Sequence, residues 1–251
     1  MSGRLSGKRA AVTGAGGGIG RAIALRYARE GARVAAIGRT QASLDLLAKE
    51  EGGIIAVQAD VANEASIAAA IQRVVQEFGG LDVLVTSAAV QLHGQDRRAH
   101  ELPLEVWDQT ISINLTGAFL TCKHAIRAML ESGGGSIVNI GSPTGICGSG
   151  RTYTAYSASK AGVHSLTRVL AIDYAADGIR VNTLVPGATD GPLISGLLAD
   201  EAIRATIIAG IPLGRVGLPE EYTGLAVHLA SDESTYSTGA MFVADGGHTI
   251  R

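Results

Sequence analysis

The stretch Ala11-Val12-Thr13-Gly14-Ala15-Gly16-Gly17-Gly18-Ile19-Gly20 decides how this chain is read. An apolar run over 9–13 ends abruptly in glycine, and an amphipathic helical pattern over 19–30 begins where the glycines stop. A strand that turns into a helix through glycine makes a cradle for an anion. The turn is tight, no Cβ blocks the backbone, and the free N–H groups of the first helical turn face outward. The spacing is Gly-x-x-x-Gly-x-Gly at Gly14, Gly18 and Gly20, not the tighter G-x-G-x-x-G. The expectation is a pyrophosphate-binding turn, with Gly14, Gly16, Gly18, Ile19 and Gly20 at a dinucleotide.

Outward from this turn, short Val- and Ile-rich runs alternate with longer helical stretches. Runs at 33–37, 54–58, 81–86, 136–140, 180–184 and 241–244 read as further strands, apolar throughout as strands covered on both faces are. Helices are expected over 42–50, 64–78, 104–130 with a break, 156–175 and 219–230. Asn63 is placed to cap the third helix and Gly79 to end it. Such alternation predicts a single-domain α/β fold over 1–251, a doubly wound Rossmann-type sheet of seven mostly parallel strands with helices on both faces. No linker or repeat divides it. The longest stretch without a strand, about 188–216, has a helical centre over 192–209 and reads as a substrate lid.

Composition narrows the function. The 251 residues are 46% hydrophobic and 18% charged with a net charge of −2, which suits a globular core and offers no basic excess for nucleic acid or an anionic membrane. Two cysteines, Cys122 and Cys147, are too few for a disulfide scaffold, so a cytoplasmic location is expected. No apolar run approaches the roughly 18 residues that span a bilayer. The histidines show no metal-ligand spacing, and no catalytic metal is expected.

The second strand carries no acidic residue at its end, where one would hold a ribose 2′-hydroxyl. It ends Gly38-Arg39-Thr40. A guanidinium pairs well with a 2′-phosphate, so Arg39 favours NADP over NAD. Tyr156-Ser157-Ala158-Ser159-Lys160 opens a long helix, and residues at i and i+4 share a face. A cation beside a phenol favours the phenolate, which makes Tyr156 a general acid/base with Lys160 as its partner. Ser142, just past the fifth strand, is placed to hydrogen-bond a substrate oxygen.

With these residues in place the chain resembles the short-chain dehydrogenase/reductase family over essentially its whole length. Thr13 to Gly20 is similar to the family's TGxxxGxG turn, Asp60-Val61 to its adenine contact and Ile113-Asn114-Leu115-Thr116-Gly117 to the segment of its catalytic asparagine. Ile137 to Ser142 matches the serine-bearing strand, Tyr156 and Lys160 the YxxxK pair, and Asn182 through Pro186-Gly187 the element beside the nicotinamide. Gly214 to Glu221 and Asp245-Gly246-Gly247 follow the family pattern as well. The resemblance implies hydride transfer between a nicotinamide and a secondary alcohol or ketone. Tyr156 moves the proton, Ser142 orients the oxygen, Lys160 holds the ribose and Asn114 positions a relay water. It also implies a homotetramer built through the two long helices. Three positions depart from the pattern. Thr86-Ser87-Ala88-Ala89 replaces the usual Asn-Ala-Gly segment, leaving Ser87 and Ala88 at the cofactor. Gly191 stands where a threonine often contacts the nicotinamide amide, with Thr189 as the nearest substitute. Gly17 replaces a basic residue frequent in NADP-preferring relatives.

The substrate pocket is expected at His93, Cys147, Arg151, Tyr153 and Leu193, with Gln91 and Leu92 nearby. A small polar carbonyl or hydroxy compound is the expected substrate, since the helix ending Met129-Leu130-Glu131-Ser132 lacks the basic pair of reductases acting on acyl carrier protein. A 3-oxoacyl thioester reductase and a catalytically silent nucleotide-binding regulator are the alternatives. The second would lack one of Ser142, Tyr156 or Lys160.

Overall fold

The computed structural model describes residues 3–148 and 152–250. Among these, β1 (Arg9–Thr13), β2 (Arg33–Gly38), β3 (Ile54–Gln58), β4 (Val83–Thr86), β5 (Gly135–Ile140), β6 (Ile179–Pro186) and β7 (Met241–Ala244) form one sheet in the order β3-β2-β1-β4-β5-β6-β7. Every pairing is parallel, where a mostly parallel sheet was expected. The order reverses between β1 and β4, which opens a crevice at their carboxyl ends. β4 begins two residues later than the apolar run. Leu81 is buried in the turn before it, and Asp82 is held by the Arg9 backbone N–H and guanidinium.

The helices are α1 (Gly18–Arg29), α2 (Gln41–Glu50), α3 (Glu64–Phe78), α4 (Leu104–Ile111), α5 (Gly117–Ser132), α6 (Thr154–Tyr174), α7 (Ser195–Leu198), α8 (Glu201–Ala209) and α9 (Thr223–Ala230). On one face of the sheet Ile23 and Tyr27 of α1 and Val227 and Leu229 of α9 meet Val12, Val34 and Val138. On the other, Ile67 and Ile71 of α3 and Ile126 and Met129 of α5 meet Ala35, Leu84 and Ile137. Alternate strand residues enter opposite cores, so the inner strands are apolar at most positions, and the buried exceptions Asn139 and Asn182 are held by hydrogen bonds. Asn63 Oδ1 accepts from the Ser66 N–H at 3.0 Å, and Gly79 ends α3 at φ 80°.

Three helix expectations change in detail. The break in 104–130 is a π-helical segment, Ser112–Thr116, which contains Asn114. The final helix opens with a tight 3₁₀ turn over Pro219–Tyr222 before α9. The centre of the 188–216 stretch, read above as a lid, is two short helices, α7 and α8, the latter capped by Asp200 Oδ1 accepting from the Ala202 and Ile203 N–H groups. Its base is closed by a bridge between Thr189 and Gly217, and Pro192 packs onto the glycine-rich turn at Gly17 and Gly18.

Candidate active site

The carboxyl ends of β1, β4, β5 and β6 open into one cleft of about 860 Å³. Gly14, Gly18, Ile19, Arg39, Asp60, Val61, Ser87, Ala88, Pro186, Gly187 and Thr189 line it, as do Ser142, Tyr156 and Lys160. Gly17 lines it too. Gly16 and Gly20, expected at the cofactor, are not on its surface. A Cβ on Gly20 would lie 2.6 Å from the Gly14 carbonyl oxygen, and one on Gly16 would lie 2.8 Å from Ser43 Oγ. Gly20 is buried behind the turn, whereas Gly16 is exposed beside the Ser43 side chain. Gly14 itself has φ 68°, and a Cβ there would lie 2.7 Å from the Ala88 nitrogen. Thr13 Oγ1 accepts from the Ser87 N–H at 3.1 Å, which ties the turn to the segment after β4. No side chain caps α1, so its first N–H groups face the cleft without an internal acceptor of that kind.

Tyr156 is buried, and burial pushes its phenol up to about 12 against a hydrogen bond with Ser142. Burial also pulls the Lys160 ammonium down to about 8. Lys160 Nζ donates to the Ile140 carbonyl at 2.8 Å and lies 5.8 Å from the centre of the Tyr156 ring. The cation therefore stands beside the phenol without bonding to it. In the protein alone, desolvation outweighs the lowering expected from Lys160. Ser142 Oγ lies 3.1 Å from Thr144 Oγ1, at the start of a short 3₁₀ turn, Pro143–Gly145.

Asn114 is buried behind the cleft rather than lining it. Its Oδ1 accepts from the Val90 N–H at 2.8 Å, and its Nδ2 donates to the Val90 carbonyl and to Ser159 Oγ. The side chain braces the loop after β4, with both Nδ2 protons and one Oδ1 lone pair engaged. The Thr189 hydroxyl donates within a pair of contacts to Gly187 O and Tyr222 Oη, both 2.8 Å away. Asn182 is wholly buried and holds the approach to β7 through Ser237 O and the Ala240 N–H.

Cys147, Tyr153 and Leu193 line the cleft; Arg151 lies outside the described residues. His93 does not line it. Its Nε2 donates to the Leu193 carbonyl at 2.9 Å and so braces the start of the lid region. His248 Nδ1 does the same at the other end, donating to the Gly210 carbonyl at 3.1 Å. Cys122 is buried with its thiol pushed up to about 12, a packing residue and not a nucleophile. Among the described residues, no group of three or more His, Cys, Asp or Glu could hold a metal ion.

Two buried titratable residues beside Ser142 and Tyr156 escaped the sequence reading. Asp96, 1% exposed, accepts from the Ala155 N–H at 3.1 Å and the Tyr156 N–H at 3.0 Å. It caps α6 from a distant loop, which is why the helix begins at Thr154, two residues earlier than expected. His164, 2% exposed, accepts the Ser142 N–H at Nε2 over 3.3 Å.

Residues 14–249 match a family described as enoyl-(acyl carrier protein) reductase. The chain belongs to the short-chain dehydrogenase/reductase family. It is 44% identical over 244 residues to cis-4-hydroxycyclohexanecarboxylate dehydrogenase of Sinomonas cyclohexanicum, covering 96% of each chain. It is 41% identical over 261 residues to D-threitol dehydrogenase of Mycolicibacterium smegmatis, covering 99% of this chain and 95% of that one. Among solved structures, a protein from Beutenbergia cavernae provisionally assigned as an NAD(P)-dependent gluconate 5-dehydrogenase, with NADP bound at low occupancy, aligns with a TM-score of 0.90 at 40% identity over 98% of each chain. As a member of this family the chain is an oxidoreductase acting on CH–OH groups. No helix among its described residues is long and apolar enough to cross a membrane.

Proposed function

We propose that this short-chain dehydrogenase/reductase interconverts a secondary alcohol and a ketone with a nicotinamide dinucleotide, NADP(H) in preference to NAD(H). The observation that carries the reading is the meeting of Ser142, Tyr156 and Lys160 in the same cleft as the glycine-rich turn. The cleft suits a dinucleotide. Gly14 lets the turn pack directly on the backbone of Ser87 and Ala88, the uncapped start of α1 offers N–H groups to a pyrophosphate, and Asp60 and Val61 line the part of the cleft read as the adenine side. Arg39, exposed on the cleft rim, is the residue for a 2′-phosphate.

When bound, the nicotinamide supplies or accepts the hydride at the substrate carbon. Tyr156 gives its proton to the oxygen in reduction and takes it back in oxidation. A phenol held near 12 is fully protonated at neutral pH and ready as the acid. Ser142 Oγ orients the substrate oxygen and steadies its developing charge. Lys160 spends one of its three N–H donors on Ile140 and keeps two for the ribose hydroxyls. Asn114 serves proton relay through its backbone, its side chain being committed to Val90.

The substrate half of the cleft receives Gln91, Thr144 and Tyr153 from the loops after β4 and β5, and Leu193, Ile194 and Leu197 from the lid. That mixture suits a small carbonyl or hydroxy compound that sets a carbon skeleton against the lid and its oxygens against the loops. The two relatives named above act on a hydroxylated cyclohexane carboxylate and on a polyol, which frames the same range. The family description keeps acyl thioesters as the second reading. We place the enzyme in the cytoplasm on the strength of two free thiols, a location that cell fractionation checks. We also propose a homotetramer. Phe119 and Leu130 of α5 and Val169 and Ile172 of α6 are exposed apolar residues on the two long helices, and Ile172 is 80% exposed. Sedimentation as a monomer at micromolar concentration would refute that assembly.

The test is oxidation of NADPH and of NADH with a panel of small ketones, keto acids, ketoses and acyl thioesters, run beside Tyr156→Phe. Turnover with a ketone in the parent and its loss in the variant, with cofactor still bound, supports the proposal. Full activity in Tyr156→Phe, or turnover of thioesters alone, overturns it.

A further inference from the structure

Helix α6 carries a third inward-facing side chain on the catalytic stripe. Tyr156, Lys160 and His164 stand at i, i+4 and i+8, one above the other on a single face. All three are buried. Tyr156 meets Ser142 and Lys160 binds the end of β5 at Ile140. His164 reaches the segment that follows, where its Nε2 takes the Ser142 N–H. The ring also hydrogen-bonds the backbone of Gly145. An Nε2 that accepts leaves the imidazole proton on Nδ1, so the ring presents one acceptor and one donor.

The Gly141-Ser142-Pro143-Thr144-Gly145 turn is shaped to admit this ring. A Cβ on Gly141 would overlap His164 Nε2 and crowd Thr183, and one on Gly145 would meet the α6 backbone at Ala161 N (2.7 Å) as well as His164 Cε1 (2.9 Å). Both glycines have negative φ, so neither is there for a left-handed backbone; they are there for space. Burial and the neighbouring Lys160 and Arg168 hold the imidazole neutral. That is the form able to accept from Ser142; an imidazolium has no acceptor.

We propose that His164 is a positioning residue for the catalytic serine: it clamps the 142–145 turn to α6, so that Ser142 is held in register with Tyr156 and Lys160. It touches neither substrate nor cofactor. The inference rests on the ketone/alcohol reading for its kinetic consequence and on geometry alone for the clamp.

The experiment compares His164→Gln, whose side-chain amide reproduces an acceptor near Nε2, with His164→Met, which fills similar space without a comparable acceptor. Backbone amide exchange over 142–147 reads the clamp without any turnover. It should accelerate at least tenfold in His164→Met and stay near the parent in His164→Gln. In ketone reduction at saturating NADPH, kcat per folded molecule should fall roughly 10- to 100-fold in His164→Met, with NADPH affinity within about twofold, and recover largely in His164→Gln, a range corresponding to about 1.4 to 2.8 kcal/mol. In a Ser142→Ala background the His164→Met change should leave kcat almost untouched, because the group it positions is gone. Unchanged amide exchange in His164→Met overturns the clamp whatever the activity. Accelerated exchange with multiplicative kcat losses in the double variant overturns the link to Ser142. A parent inactive on every ketone, with exchange behaving as expected, faults the reaction assigned and leaves the clamp supported.

Discussion

Replacing Asp96 tests whether the catalytic helix is held from outside itself. The Asp96 carboxylate accepts two N–H groups in the first turn of α6, at 3.1 and 3.0 Å, and one belongs to Tyr156. Tyr153, the residue that precedes the helix, offers no side-chain cap. In Asp96→Ala those donors lose their acceptor where burial admits little water. A buried unpaired donor costs about 1–3 kcal/mol, and a charge at a helix N-terminus contributes about 0.3–1 kcal/mol more. Against this stands the recovered cost of desolvating the carboxylate, which offsets part of that loss. The net loss is about 2–4 kcal/mol for Asp96→Ala. Asp96→Asn keeps one carbonyl acceptor and loses the charge, which puts it near half that value. Urea unfolding at pH 7 reads both variants. The kinetic companion is a fall in kcat of about tenfold for Asp96→Ala, since Tyr156 loses the contact on its own backbone. If both variants unfold within 0.5 kcal/mol of the parent, a threshold typical of inert surface changes, the cap contributes nothing and the reasoning is wrong.

The remaining expectations are shorter. Gly14→Ala places a Cβ 2.7 Å from the Ala88 nitrogen at a φ of 68°, so the turn has to shift; it should lose about 1–3 kcal/mol of stability and at least tenfold in cofactor affinity, measured by cofactor fluorescence. Arg39→Ala should weaken NADPH by about 10- to 100-fold and NADH by less than threefold, from the loss of a charge-assisted pair of about 1.5–3 kcal/mol; equal loss for both removes Arg39 as the phosphate residue. Stability should fall in mild acid through His164. Its folded value is pulled down to about 4 from an ordinary 6.5, so between these pH values the unfolded chain binds a proton that the folded one refuses. The contribution is complete above pH 6.5 and lost by pH 4, amounting to about 3 kcal/mol at most, and His164→Gln should flatten that part of the urea-midpoint profile. Alcohol oxidation requires the phenolate of Tyr156, which burial disfavours, so kcat/KM in that direction should climb with pH through at least pH 9 while neutral pH favours reduction.

How much of this was legible in the chain follows from how local each signal is. β1, β3 and β7 fall where the apolar runs placed them, because each is a short run of Val, Ile, Ala, Met or Phe bounded by glycine, polar or charged residues. The cap at Asn63 and the stop at Gly79 were legible for the same reason: each acts within a few residues of itself. The Tyr156-to-Lys160 spacing belongs to this class as well, since one helical turn brings the pair to one face. What the sequence concealed is what tertiary structure supplies. Asp96 sits in a loop with no periodicity and caps a helix about 60 residues further on. His164 falls on the buried stripe of α6, where its spacing reads as core. Gly20 looked like a cofactor contact because the pattern records where glycine is required and not which side of the turn requires it. Asn114 looked like a water ligand, and its side chain proved to be a brace. The sharpest contrast is on α6 itself. The two residues proposed to do the chemistry announce themselves by spacing, while the two proposed to hold the site in place, Asp96 at the Tyr156 N–H and His164 at the Ser142 N–H, are joined to it through backbone hydrogen bonds. A backbone donor has no residue identity, so a contact made to it leaves no motif to read, and variants at those two positions are where an account based on motifs and one based on geometry part company.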